Sequence, residues 1–108
     1  MSNLTKTFAA LGDETRFAIV ERLLKDGEMS VGQLQEDISI SAPAVSRHLK
    51  VLRAAGVIEQ RTDKQRRICS VRPEAVQSIG AWSMSYREFW QKSLDRLEWA
   101  LAQESKKS

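Results

Sequence analysis

Ile40-Ser-Ala-Pro-Ala-Val-Ser-Arg-His-Leu-Lys-Val-Leu-Arg-Ala-Ala-Gly-Val-Ile58 reads as one helix with its start and stop written into it. Ser41 can accept a backbone N–H as an N-cap, and Pro43 stands in the first turn, where a missing N–H has no partner to lose. The helix runs to Ala55 and stops at Gly56. Advancing by about 100° per residue from Val45, Leu49 and Leu52 fall within about 40° of it and define a buried side. Pro43, Ser46, Arg47, Lys50 and Arg53 fall between about 80° and 200°, and no acid lies on the helix. A merely solvated face normally mixes signs, so this one points to a polyanion, with an ordinary polar surface as the alternative. His48 sits about 60° from Val45 at the border of the apolar stripe. It is either a helix-edge side chain bonded to nearby backbone or a contact to phosphate or base.

Working upstream, Ser30-Val-Gly-Gln33 has the capping-box pattern and opens a preceding helix that turns Val31, Leu34 and Ile38 to the core. Two short helices joined by a tight turn, the second opening Ser-Ala-Pro-Ala, have the layout of a helix-turn-helix. Before them, Asp13 is a good N-cap for a helix with an apolar stripe of Phe17, Val20, Leu23 and Leu24, ended by Gly27. Leu4, Phe8 and Leu11 recur at helical spacing and predict a first helix ahead of Gly12.

Downstream of Gly56 the period changes. Val57–Arg61 and Arg67–Val71 are β-prone runs around a polar turn, Thr62 to Arg66, and predict a hairpin. Its tip carries Lys64, Arg66 and Arg67. Beside a recognition helix these cations reach phosphates or the minor groove; the bland alternative is a charged edge that discourages strand pairing. Cys69, on the second strand, reads as a small buried hydrophobe rather than a redox sensor. Pro73 then starts a long final helix, about 74–103, along which Ile79, Trp82, Tyr86, Phe89, Trp90, Leu94, Leu97 and Leu101 advance in steps of three and four. It carries five of the seven aromatics in the chain, counting Trp99. Such a stripe is covered either by a second copy across a two-fold axis or by folding back on its own domain.

Composition limits what such a chain can do. At 108 residues it is sized for one domain, 1–104, with a frayed tail at 105–108. The net charge of +3 is unevenly placed: Ser41 to Arg72 holds eight basic residues against Glu59 and Asp63, a local +6, and the remainder sums to −3. One cysteine makes no internal disulfide, and common zinc sites need more than one Cys and one His. Any catalytic triad would be built on His48 alone, so no enzyme is expected. The start, Met1-Ser-Asn-Leu-Thr-Lys, lacks a signal-peptide pattern. The longest uncharged stretch, Ala75 to Tyr86, is 12 residues, too short for a membrane span. A reduced, cytoplasmic protein without membrane partner or cofactor is the expectation.

Leu11-Gly-Asp-Glu-Thr-Arg16 and the Ile40–Ile58 stretch together resemble the ArsR family of bacterial winged-helix repressors, over nearly the whole chain. The resemblance implies a mainly α fold with a small β-hairpin, a winged helix-turn-helix in the order ααααββα, dimeric through the terminal helices. It implies sequence-specific binding of double-stranded DNA at a palindromic operator. Ser41, Ala42, Ser46, Arg47, His48 and Lys50 then become recognition residues, with Lys64, Arg66 and Arg67 in the wing. Leu4, Phe8, Ile79, Trp82, Tyr86, Phe89, Trp90, Leu94 and Leu97 become the dimer interface. Metal-sensing members carry Cys-Val-Cys at the third helix, where this chain has Glu28-Met-Ser30-Val-Gly32-Gln-Leu34, and its last helix has no His. Metal sensing is therefore not expected, and the aromatic-rich segment is similar to a metal-independent branch. Asp63-Lys64 also replaces the Asp-Gly or Glu-Gly of many relatives' hairpin turns, and Cys69 stands where relatives often have an aromatic residue. The rival reading is a winged helix that docks an acidic protein.

Overall fold

Helix α1 (Leu4–Leu11) and helix α2 (Glu14–Asp26) meet at Gly12-Asp13, where the first chain reversal is made by side chains rather than by a loop. The structure is a computed structural model and describes residues 4–107, with side chains as far as Ser105. Asp13 adopts extended φ/ψ and accepts the Arg16 N–H at 3.0 Å, the N-cap expected of it. Arg16 turns back and donates its Nε to the Ala10 carbonyl at 2.7 Å, satisfying one of the acceptors that the end of α1 leaves open. Gly27, at φ 80°, ends α2 in a conformation that side-chain-bearing residues rarely take.

Met29–Ser30 form a two-residue strand, β1, before α3 (Val31–Ile38). Ser30 does double duty. Its Oγ accepts the Gln33 N–H at 3.1 Å while Gln33 Oε1 accepts the Ser30 N–H at 2.9 Å, so the predicted capping box is complete. Ser39, at φ 58°, closes α3, and Ser41 caps α4 (Ala42–Ala54) by accepting the Ala44 N–H. Gly56, at φ 75°, redirects the chain into β2 (Ile58–Asp63) and β3 (Arg66–Val71). The antiparallel sheet has the order β1-β3-β2, with Met29 opposite Cys69 and Ile58 opposite Val71. The sequence predicts only the hairpin. A two-residue strand has no periodicity to read, and only pairing to β3 defines it.

The core joins Ile19, Leu23, Leu34, Val45, Leu49, Leu52, Val57, Ile58 and Cys69, with Val31 and Ile38 packed against it. The stripes predicted for the first two helices are turned. In α2, Ile19, Val20 and Leu23 are buried while Phe17 and Leu24 are 49% and 56% exposed. In α1, Thr7 and Ala10 face inward and Phe8 is 40% exposed. Both helices carry apolar arcs wider than the space they fill, so neighbouring helices select the buried part.

The second half of the predicted final helix also differs. In place of one rod over 74–103 there are α5 (Pro73–Met84) and α6 (Arg87–Lys107), separated at Ser85-Tyr86. Ser85 Oγ donates to the Trp82 carbonyl at 2.6 Å, its N–H is shared between the Ala81 and Trp82 carbonyls, and the Tyr86 N–H reaches Ser83. The bonding thus tightens from four residues to three, and a serine competing for a helix carbonyl breaks the rod. α6 runs to Lys107, beyond the predicted end; of the expected frayed tail, Ser108 lies outside the described residues. The chain divides after Ser78 into two compact units.

Leu52→Ala removes a fully buried side chain of α4 and is expected to cost about 2–5 kcal/mol, read from urea unfolding with an unchanged slope. A loss below about 1 kcal/mol would show that this row does not anchor the helix.

Candidate nucleic-acid interface

Helix α4 owes its orientation to Val45, Leu49 and Leu52, at most 2% exposed, as the helical angles predict. With that row held inward, Ser41, Ala42, Pro43, Ser46, Arg47, Lys50 and Arg53 are all exposed. The capping bond of Ser41 leaves Ala42 and Pro43 at the tip of the helix, where the first turn presents both backbone and side chains. His48 departs from the group. It is partly buried, and its Nδ1 lies 3.8 Å from Asp13 Oδ2 at the start of α2. The Asp13 carboxyl is held below its ordinary value of 3.8, first by the Arg16 N–H and then by the charges of Arg16 and His48, against the opposing effect of burial.

The hairpin places the remaining cations. Its turn is the two residues Lys64-Gln65, shorter than the predicted Thr62–Arg66, because Asp63 pairs with Arg66 and Thr62 with Arg67. Lys64 takes φ 59°. A lysine there bears roughly 1–2 kcal/mol of left-handed strain that glycine avoids. Arg66 and Arg67 are exposed and, as successive strand residues, point to opposite faces of the ribbon.

Not all of the +6 segment is available to an outside partner. Arg61 makes two bonds to Glu28, Nη1 to Oε2 at 2.6 Å and Nη2 to Oε1 at 2.8 Å, from the far side of the central strand β3. This bond holds the Glu28 carboxyl below its ordinary value of 4.5 and raises the Arg61 guanidinium. Arg72 pairs with Glu74 at 3.4 Å. Arg47, Lys50, Arg53, Lys64, Arg66 and Arg67 enter no ion pair among the described residues. The positive charges of Arg53 and Arg67 both act on the Cys69 thiol and oppose the effect of its burial.

Sequence reasoning missed the pairing of Glu28 with Arg61 and of Asp13 with His48. Their members are 33 and 35 residues apart, with no local spacing to signal them. Cys69 is buried beside Gln60 Oε1 at 3.7 Å, and burial pushes its thiol up. That is the chemistry of a small core residue. Ser30 spends its hydroxyl on the α3 cap.

An exposed, acid-free helix beside a cationic hairpin defines a winged helix-turn-helix protein that engages nucleic acid. Residues 11–61 match the model of a helix-turn-helix domain family. HTH-type transcriptional regulator Rv2034 of Mycobacterium tuberculosis is 39% identical over 89 residues, covering 82% of this chain and 79% of that one. Transcriptional repressor SdpR of Bacillus subtilis is 32% identical over 83 residues, covering 77% and 91%. Among solved structures, that of the ArsR family transcriptional regulator RHA00566 superposes with a TM-score of 0.71 at 28% identity, covering 82% and 91%. The chain belongs to the ArsR family of winged-helix transcriptional regulators. It is a DNA-binding regulator, not an enzyme.

Acid lability follows from the lowered carboxyls. A group whose folded value is depressed contributes stability that is full above its unfolded value and is lost as pH falls through the folded one. For Glu28 the loss therefore sets in below the ordinary 4.5. The urea midpoint of the wild type is expected to fall on acidification below that point, and Glu28→Gln to flatten part of the fall. An identical acid slope in the variant would mean that the Glu28–Arg61 pair adds nothing to the fold.

Proposed function

We propose that the protein is a homodimeric, metal-independent repressor of the bacterial cytoplasm that binds an imperfect palindrome in double-stranded DNA. The observation that carries this reading is the acid-free face of α4, whose cations enter no ion pair among the described residues. On this reading α4 enters the major groove. Arg47 and Lys50 pair with guanine edges or phosphates, and Ser41, Ala42 and Ser46 line the approach to base and backbone. Lys64, Arg66 and Arg67 extend the footprint onto flanking phosphates. Only one of the two arginines faces a given groove wall at a time, because they lie on opposite faces of the ribbon.

Two copies are the economical cover for the apolar surface of the second unit. Trp82, Tyr86, Phe89, Trp90, Leu94 and Leu97 are between 48% and 58% exposed. Trp82 stacks edge-on against Tyr86 and Phe89 against Trp90, and with Ser83 they line an apolar recess of about 320 Å³ at the α5–α6 break. Phe8 of α1 is exposed as well, while Leu4 and Ile79 are partly buried. Two-fold symmetry then sets half-site centres about 34–36 Å apart, or a multiple of that distance. The names of relatives, a repressor among them, support negative regulation.

Arg47→Ala is expected to lower operator affinity and narrow the gap to scrambled duplex, by about 1–3 kcal/mol for a bidentate base contact. Arg66→Ala with Arg67→Ala should instead flatten the dependence of affinity on salt. Anisotropy titrations across salt separate the two, and an unchanged specificity ratio for Arg47→Ala would remove it from base reading. For assembly, Trp82→Ala with Phe89→Ala should shift sedimentation equilibrium toward monomer; an undiminished dimer would move the interface elsewhere.

A further inference from the structure

His48, which the sequence groups with the DNA-contact residues, has its nearest charged partner inside the protein. The cations of α4 lie between about 80° and 200° from Val45, whereas His48 lies about 60° on the other side of that row, toward α2. Its ring is 23% exposed, and the Asp13 carboxylate facing it at 3.8 Å is 37% exposed. That separation is longer than a hydrogen bond and short enough for a direct polar contact. Asp13 Oδ2 also accepts the Arg16 N–H, and Arg16 Nε holds the Ala10 carbonyl. One polar chain thus joins the last turn of α1, the first turn of α2 and the middle of α4.

We propose that His48 is a positioning residue that acts on DNA only through Asp13. It sets the roll of α4 against the N-terminus of α2 and touches neither base nor phosphate. The proposal rests on the reading of α4 as the recognition helix. Apolar packing alone leaves a helix some freedom to roll, and a recognition constellation has to be held to within about 10–20°. A polar contact on the flank of the buried row supplies that restraint. Because Asp13 is also the N-cap of α2, the same carboxylate that starts one helix orients the other.

Asn caps a helix as well as Asp does, so Asp13→Asn removes the charge facing His48 and keeps the cap. Operator and scrambled duplexes are titrated against the wild type, Asp13→Asn, His48→Ala, the double variant and Arg47→Ala across a salt series. His48→Ala is expected to weaken operator binding about fivefold to twentyfold, with no further loss in the Asp13→Asn background. Its salt slope should match that of the wild type, since no phosphate contact is lost. His48→Gln, which keeps a polar side chain of similar reach facing Asp13, should recover most of the affinity. In the wild type, the ¹⁵N shifts of the His48 ring should hold still on saturation with operator and move in Asp13→Asn. Multiplying losses in the double variant, a shallower salt slope for His48→Ala, or ring shifts that respond to DNA would overturn the proposal and make His48 a direct contact. Loss of all preference for operator over scrambled duplex in the wild type would overturn the recognition-helix reading itself, and this inference with it.

Discussion

Val45, Leu49 and Leu52 share one side of α4 and are sealed against Ile19, Leu34, Val57 and Ile58, so the opposite side of that helix has only one direction to face. The functional surface depends on this burial. Seating three branched side chains in the core stabilises the helix by several kcal/mol, far more than any exposed charge on it can contribute. The outer positions are thereby released from structural duty, and Arg47, Lys50 and Arg53 form an exposed cationic row beside Ser46.

Charge is distributed by the same logic. The basic segment divides into cations that pair with carboxylates near the hairpin and cations that enter no ion pair among the described residues. Arg61 spends its guanidinium on Glu28, across β3 from its own strand, and Arg72 turns to Glu74. The wing is therefore braced at its base and open at its tip. The turn Lys64-Gln65 shows the cost of this chemistry, since a lysine occupies a left-handed position that glycine takes without strain.

Much of this was legible in the chain. The capping serines, Asp13, Pro43 and the glycines at 27 and 56 are local signals whose effect is exerted within one turn, and each acts where its chemistry requires. The buried row of α4 was legible because its 3.6-residue period has a single solution. The stripes of α1 and α2 were misplaced because their apolar arcs are broad: Phe17 competes with Ile19 for the core, and only neighbouring helices decide. The break at Ser85 escaped because a serine hydroxyl bonding back to Trp82 leaves the apolar period on either side intact.

The order of the first four helices, the hairpin and the cationic face of α4 were therefore determined by the sequence alone, since each follows from contacts among residues close in the chain. Tertiary structure decided which cations are available and what His48 faces. Glu28 meets Arg61, and Asp13 meets His48, only after the core has brought distant segments together. Electrostatic pairing acts through space over a few ångströms, and spacing along the chain carries no record of it.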